Sequence, residues 1–340
     1  MELLGLTLPQ LQQICNEMQL PAYNAKQIAD WLYKQRVCSI DDMTNLSLRT
    51  RAMLNERYTV GRHEPMDVQQ SADGTKKYLF AVGEHYVETV YIPEGDRATL
   101  CISSQAGCRM GCRFCATGLG GYRGSISAAQ IVNQILSVPE ASELTNIVYM
   151  GMGEPMDNYE AVLQSTEVLT AEWGMAWSPR RITVSSVGII ATLKRFIEES
   201  QCHLAISLHN PFAEQRQEIM PVQQRYPIAA VINLLRQYNW HGQRRLSFEY
   251  TMFKGVNDSL LHASELVRML RGIPCRVNLI PFHPNPKAER FQPSSEATIA
   301  RFRDYLSAHG LTATVRTSRG QDIEAACGLL ATNQVISYKF

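Results

Sequence analysis

The chain reads as an α/β protein: a partial (βα)6 barrel of the TIM type, preceded by a helical segment and a β-hairpin extension. Three observations lead there. From Thr99 onward, six short apolar runs alternate with stretches of helical period. Residues 1 to about 60 carry apolar residues at three- and four-residue spacings, and between the two lies a period-two stretch around Asp73-Gly74. The expected domains are 1–60 (helical), 61–95 (hairpin) and 96–340 (barrel).

In order along the chain, Leu8 to Leu20 and then Ile28, Trp31 and Leu32 mark amphipathic helices, with Asn24 and Ser39 as N-cap candidates. Lys77–Val82 and Tyr86–Ile92 alternate as the two arms of a hairpin. The barrel strands are Thr99–Ser103, Asn146–Met150, Arg181–Ser185, His203–Leu208, Leu246–Phe253 and Arg276–Pro281. Helices fill the gaps, among them Ile126–Val138, with Ser127 and Gln130 spaced as a capping box, and Asp258–Leu270. Six units fall short of the eight that close a full barrel, so the sheet should stay open. Asn285–Ser295, with its prolines and charges, reads as an exposed loop.

Composition narrows the function. Of 340 residues, 45% are hydrophobic and 19% charged, which excludes a disordered chain, and no apolar run is long enough to span a bilayer. The first residues lack a secretory signal, so a cytoplasmic protein is expected. Lys+Arg minus Asp+Glu is 33 − 32 = +1, so any grip on nucleic acid must come from local patches. The arginine candidates are Arg109, Arg113, Arg123, Arg180, Arg181, Arg244, Arg245, Arg316 and Arg319. Nine cysteines in such a compartment suit metal binding or catalysis better than a disulfide framework. Cys15, Cys38, Cys202 and Cys275 stand singly in apolar or periodic surroundings and read as ordinary buried residues.

Cys108, Cys112 and Cys115 directly follow the first barrel strand in a glycine-containing loop. Three thiolates at this spacing can hold three irons of a 4Fe-4S cluster and leave the fourth open. A structural zinc would want four ligands, and only Cys101 offers itself as a fourth, from a strand that points it into the barrel. After the second strand, Gly151-Met152-Gly153-Glu154-Pro155 places a carboxylate beside glycines, a setting for a ligand's ammonium group.

The cysteine spacing, with Phe114 before the last thiol, resembles the radical S-adenosylmethionine (SAM) signature. With Val87–Pro93, Cys101–Gln105, Met150–Pro155, Ala205–His209, Val277–Pro281 and Arg319–Gly328 taken in order, nearly the whole chain resembles the RlmN/Cfr family. That resemblance implies a radical SAM barrel, a 4Fe-4S cluster on Cys108, Cys112 and Cys115, and two SAM molecules per turnover. The activity it implies is methylation of an adenosine of 23S rRNA at the peptidyl-transferase centre: on carbon 2, with tRNA beside the anticodon as a further substrate, or on carbon 8 in the antibiotic-resistance branch. A radical SAM enzyme for a small molecule, or an RNA-binding module without turnover, are the alternatives from other classes.

By the same resemblance, Cys327 carries the methyl group, Cys101 is the resolving thiol of a transient disulfide and Glu88 the general base. The SAM contacts would be Gly153, Glu154, Ser185, Ser207, Leu208, His209 and His283; the last stands where many family members have asparagine. A one-electron donor such as flavodoxin or ferredoxin, no membrane partner and a monomeric state complete the expectation.

Overall fold

A computed structural model of the chain describes residues 1–242, 244–284, 288 and 290–330. Twelve strands are seen among them: β1 (Asp67–Gln70), β2 (Lys76–Val82), β3 (His85–Glu94), β4 (Arg97–Cys101), β5 (Gln105–Gly107), β6 (Tyr122–Ser125), β7 (Asn146–Tyr149), β8 (Ile182–Ser186), β9 (His203–Ser207), β10 (Leu246–Met252), β11 (Arg276–Pro281) and β12 (Thr312–Val315). Ten form one sheet in the order β1-β2-β3-β4-β7-β8-β9-β10-β11-β12, and β5 pairs with β6 apart from it. From β4 to β12 every pairing is parallel. Helices cross between successive parallel strands, as parallel pairing requires. The described sheet ends on β1 and β12 without closing, the open barrel expected from the count of units.

Two features exceed the sequence expectation. The hairpin is a three-stranded antiparallel sheet, turning at Asp73-Gly74 and again at Gly83, and its last strand β3 pairs antiparallel with β4, so it continues the barrel sheet. A seventh parallel strand, β12, follows helix Glu296–Ala308.

Helix Leu8–Glu17 opens with a capping box between Thr7 and Gln10. Ser39 accepts the Asp41 amide as expected of an N-cap, whereas Asn24 is the first residue of its helix and Tyr23 holds the cap position. The Asn24 side chain turns instead to Gln27, donating at 2.7 Å. Ser127 and Gln130 cap helix Ala128–Leu136 as the spacing predicts. The loop expected over Asn285–Ser295 lies partly outside the described residues. In the rest of it Ala288, Phe291 and Ser294 are buried, because Phe291 packs its ring on Phe253 and Phe282. Cys15 and Cys202 are buried as expected, Cys275 is half-buried, and Cys38 is exposed in the turn after Arg36.

The interior divides in two. One apolar core runs along the sheet under its helices. A second joins Leu3 to Val60 and is completed by Val132, Leu136 and Val168, which come from the outer faces of barrel helices Ala128–Leu136 and Tyr159–Thr170. The amino-terminal helices are therefore packed against the barrel through shared hydrophobic surface.

Candidate active site

The cysteine loop leaves the end of β4, makes the short β5–β6 pair and returns through helix Ala128–Leu136. Gly107 has φ +78°, and a Cβ there would stand 2.0 Å from the Gly121 carbonyl oxygen, so only glycine lets the two sides of the loop close. Cys108, Cys112 and Cys115 all line a cavity of about 150 Å³ at the carboxyl ends of the strands. Burial pushes the Cys108 thiol up to about 12 and Cys112 well above the ordinary thiol range, with the neighbouring thiols adding to both. Thiolates in such a place need cationic partners, and iron supplies them.

No three His, Cys, Asp or Glu side chains among the described residues converge to hold a single metal ion. One zinc would need its sulfurs at about 2.3 Å from one point. A cluster takes each thiolate at a separate iron, which suits three cysteines that share one cavity without converging on a point.

Across the cavity from this loop, Glu154 is buried in the turn that follows β7, at the N-cap of the short helix Pro155–Asn158. Its Oε1 accepts the Met156 amide at 3.0 Å and its Oε2 the Val187 amide at 2.9 Å. Desolvation pushes its carboxyl up to about 7 against those hydrogen bonds. A carboxylate has about four acceptor sites, so capacity remains for a ligand's ammonium group. The glycines beside it serve packing: a Cβ on Gly151 would meet the Ile102 carbonyl oxygen at 2.7 Å, and one on Gly153, at φ +102°, would meet the Gln105 backbone nitrogen at 2.7 Å. Both glycines also line the smaller cavity, so the same absence of a side chain that admits the β4–β5 connection leaves their backbone open toward it.

Ser185 and Ser207 line the same cavity from β8 and β9, as does His209. His209 has φ +55°, and its Nδ1 accepts the Thr251 amide at 2.9 Å, which leaves the ring proton on Nε2. Burial, helped by Arg216, holds that imidazole neutral, down at about 3. Leu208 is fully buried and does not line the cavity; its amide and carbonyl are engaged by the Glu249 carbonyl oxygen and the Arg216 guanidinium. His283 lines the cavity from beyond β11, hydrogen-bonded to Ser318.

A second cavity, of about 420 Å³, fills the barrel interior and shares Cys115, His283 and Cys327 with the first. Cys101, the last residue of β4, faces it together with Cys327. Burial pushes the Cys101 thiol up to about 12, with Cys327 adding to the effect and Arg316 opposing it. Cys327 opens into the cavity while protein surrounds it, and the net effect on its thiol is upward, Arg316 again opposing.

Two ties hold the segment bearing Cys327 over the cysteine loop: Gly328 accepts the Ala116 amide at 2.7 Å, and Leu330 accepts the Thr117 hydroxyl at 2.5 Å. Glu88 is buried on β3. Its neighbour Val90 pairs with Cys101, so both carry their side chains to one face, but Glu88 lines neither cavity and its Oε1 lies 3.6 Å from Lys77 Nζ.

The structure adds residues that sequence reasoning missed. Glu249, buried on β10, accepts from Ser247 Oγ at 3.0 Å and Asn278 Nδ2 at 2.7 Å, and its Oε2 lies 3.6 Å from Arg316 Nε. This network sets Arg316 where it acts on both the Cys101 and Cys327 thiols. Arg216, fully buried, donates to the Ser207 and Leu208 carbonyl oxygens, each at 2.9 Å, and so braces the turn that carries His209. Arg216 stands in the polar run Glu214-Gln215-Arg216-Gln217-Glu218, so nothing in the sequence marked it as buried. Of the arginines put forward for RNA, Arg244 is committed internally, to the carbonyl oxygens of Cys202 and Ile197 at 2.9 and 2.7 Å, and Arg109 pairs with Asp157 at 2.9 Å and lies over the Tyr122 ring.

Comparison with known proteins places the chain in a family. Residues 102–267 match the model of the Radical SAM superfamily, and residues 1–60 that of the ribosomal RNA large subunit methyltransferase N-terminal domain. Over 331 residues the chain is 55% identical to a probable dual-specificity RNA methyltransferase RlmN of Bacteroides fragilis, covering 97% of this chain and 96% of that one. It is 43% identical over 335 residues to the dual-specificity RNA methyltransferase RlmN of Halorhodospira halophila, covering 97% and 93%. A solved radical SAM methyltransferase from Sphaerobacter thermophilus superposes with a TM-score of 0.90 at 43% identity, covering 97% of this chain and 99% of that one.

Proposed function

The chain belongs to the RlmN family of radical SAM RNA methyltransferases, and from that premise we propose that it methylates carbon 2 of an adenosine in 23S rRNA, and a tRNA adenosine beside the anticodon, through a methyl group carried on Cys327. The 4Fe-4S cluster and SAM are the cofactors of the radical SAM family. The observation that carries the reading is that Cys101 and Cys327 face one interior cavity whose wall is shared with the cysteine loop. Such a thiol pair has no use in a simple methyl transfer to nitrogen or oxygen.

In this reading Cys108, Cys112 and Cys115 hold the cluster, and Glu154, Ser185, Ser207 and His209 orient SAM in the smaller cavity. Leu208 supports that wall from behind through its backbone. When bound, the cluster and SAM would supply radical chemistry able to take hydrogen from a methyl group. The Cys327 thiolate first displaces that methyl from SAM, its own proton passing to solvent, as suits a nucleophilic sulfur. After carbon–carbon bond formation, Glu88 takes the proton from the ring carbon; it lies just behind the cavity wall, on the face of β3 that meets Cys101. The adduct gives one electron back to the external carrier; Cys101 then attacks the Cys327 sulfur and closes a disulfide, the sulfur–carbon bond breaks, and its electron pair takes up the Cys101 proton at the released carbon, which becomes the methyl group. An external reductant of the thiol class reopens the disulfide.

A flavodoxin- or ferredoxin-type protein supplies the electron, and the enzyme works as a monomer in the cytoplasm. No helix among the described residues is long and apolar enough to cross a membrane.

Anaerobic incubation of the reconstituted enzyme with methyl-labelled SAM, reductant and a 23S rRNA fragment, followed by nucleoside mass spectrometry, tests the reading. Carbon-2 methyladenosine is expected. Carbon-8 product would move the chain to the resistance chemistry, and deoxyadenosine without methyladenosine would remove RNA as its substrate.

A further inference from the structure

The larger cavity runs the whole length of the barrel. At the carboxyl ends of the strands it is covered by Cys115 and Thr117 of the cysteine loop and by Ala325–Leu330, the two tied together by the Gly328 and Leu330 carbonyl bonds described above. At the opposite end its lining includes Arg97, the first residue of β4, Arg276, the first of β11, and Arg245, which immediately precedes β10. All three are exposed. They lie close enough that Arg276 and Arg97 both lower the pKa of Arg245, after burial.

Among the described residues no carboxylate forms an ion pair with any of the three. Glu94, the one acid in the cavity lining, is not paired with them, and the Arg97 guanidinium donates only to Thr99 Oγ1, at 3.2 Å. Like charges set side by side without a counter-charge oppose one another, and a bound anion removes that penalty. Behind them the wall is neutral and polar, with Thr99, Thr183, Ser247, Asn278 and Thr314 leading inward to Cys101 and Cys327.

From this geometry we propose that the target nucleotide enters through the amino-terminal mouth of the barrel, its base inserted into the larger cavity toward the thiol pair, with Arg97, Arg245 and Arg276 gripping the phosphates on either side of it. The inference rests on the RNA-methylating reading above and adds the route and the grip. It departs from the usual expectation that a parallel barrel is approached from the carboxyl ends of its strands. Here that end is occupied by the cysteine loop, by the smaller cavity suited to SAM and by the segment carrying Cys327. A base cannot be reached within its stack, so it must be extruded into a pocket, and the phosphates flanking an extruded base then lie at the pocket's rim. Guanidinium groups at a rim can hold them bidentately.

The test is equilibrium binding of a labelled 23S rRNA fragment containing the target adenosine, at several salt concentrations, to the reconstituted enzyme and to the R97Q/R245Q/R276Q variant. Each lost phosphate contact lowers the slope of log affinity against log salt by about 0.7–0.9, so the variant should lose about 2 units of slope and bind about 10–100-fold more weakly at 0.1 M salt. R97K/R245K/R276K should recover the slope, because the charge is retained. R195Q, remote and paired with Glu160 and Glu199, should leave it unchanged.

A glutamine variant with wild-type slope and affinity overturns the proposal. So does a loss that the lysine variant fails to recover, since that would mark damage to the fold. The two readings fail separately: wild-type enzyme that forms carbon-2 methyladenosine while the glutamine variant keeps its RNA affinity preserves the activity and discards the mouth, whereas wild-type enzyme that forms no methyladenosine discards the activity itself.

Discussion

Asp73 Oδ2 accepts the amide hydrogen of Gly320 at 2.9 Å, and the bond is answered from the other side, where Asp322 accepts the Ser71 hydroxyl at 2.6 Å and the Ala72 amide at 3.2 Å. Two carboxylates thus clasp the β1–β2 turn to the start of the segment that carries Cys327. Gly320 has φ +62°, and a Cβ there would stand 2.8 Å from Thr75 Cγ2, so the clasp also depends on a glycine.

Replacing both carboxylates, D73A/D322A, should loosen the segment. Hydrogen exchange of amides 316–330 is expected to rise several-fold while exchange in β7 to β10 stays as in the parent chain, and methyl transfer to RNA should slow in step. Exchange that does not change would show that the clasp does not hold the segment. The hydrogen bonds from Gly320 and Thr75 hold the Asp73 carboxyl well below the usual carboxylate range, burial acting the other way. A depressed carboxyl contributes order that is full above its unfolded value, near 4, and fades as pH falls below it. The segment should therefore keep its protection from about pH 5 to 8 and lose it only in acid.

Glu154→Gln keeps the shape of the β7 end and removes its charge. SAM binding, measured by isothermal titration under anaerobic conditions, should weaken by about 10–100-fold, the loss of one charge-assisted contact of roughly 1.5–3 kcal/mol. Unchanged affinity would place the ammonium group of SAM elsewhere.

Gly153→Ala tests packing apart from chemistry. Its Cβ would meet Gln105 Cβ at 2.6 Å and the Gln105 nitrogen at 2.7 Å in a backbone region costly for any side chain. A loss of about 2–3 kcal/mol in unfolding free energy is expected, readable by denaturant titration. A cost under about 0.5 kcal/mol would mean that the β4–β5 connection yields easily.

Cys101→Ala should leave SAM cleavage intact and strand the enzyme on its RNA. Denaturing gels should show a covalent protein–RNA band that the parent lacks, and full turnover by the variant would dismiss Cys101 as the resolving thiol.

Legibility in the sequence followed signal strength. The six parallel strands with continuous apolar runs were readable because burial on both faces writes itself into composition. Strand β12, Thr-Ala-Thr-Val at the sheet edge, and β1, Asp-Val-Gln-Gln, were not, since four largely exposed residues carry almost no apolar signature. The three-residue β5 is too short to show a period. The cysteine spacing pointed to the cluster because its ligands lie within one loop. The Glu249–Arg316 pair was illegible because one partner lies on β10 and the other just beyond β12, 316 − 249 = 67 residues apart in the chain and two strands apart in the sheet. Glycine at 151 and 153 was visible as a feature, but what presses against it was not.

The amino-terminal core also imposes an order on synthesis. Residues 1–60 leave the ribosome before the barrel does, yet the apolar surface they must cover includes Val132, Leu136 and Val168. The last of these emerges 168 − 60 = 108 residues later, about 5–20 s at ordinary elongation rates of roughly 5–20 residues per second. Through that interval the first helices wait with part of their hydrophobic face uncovered. A chain halted before Val168, or a barrel expressed without its first sixty residues, exposes complementary halves of one seam and becomes a client for chaperones.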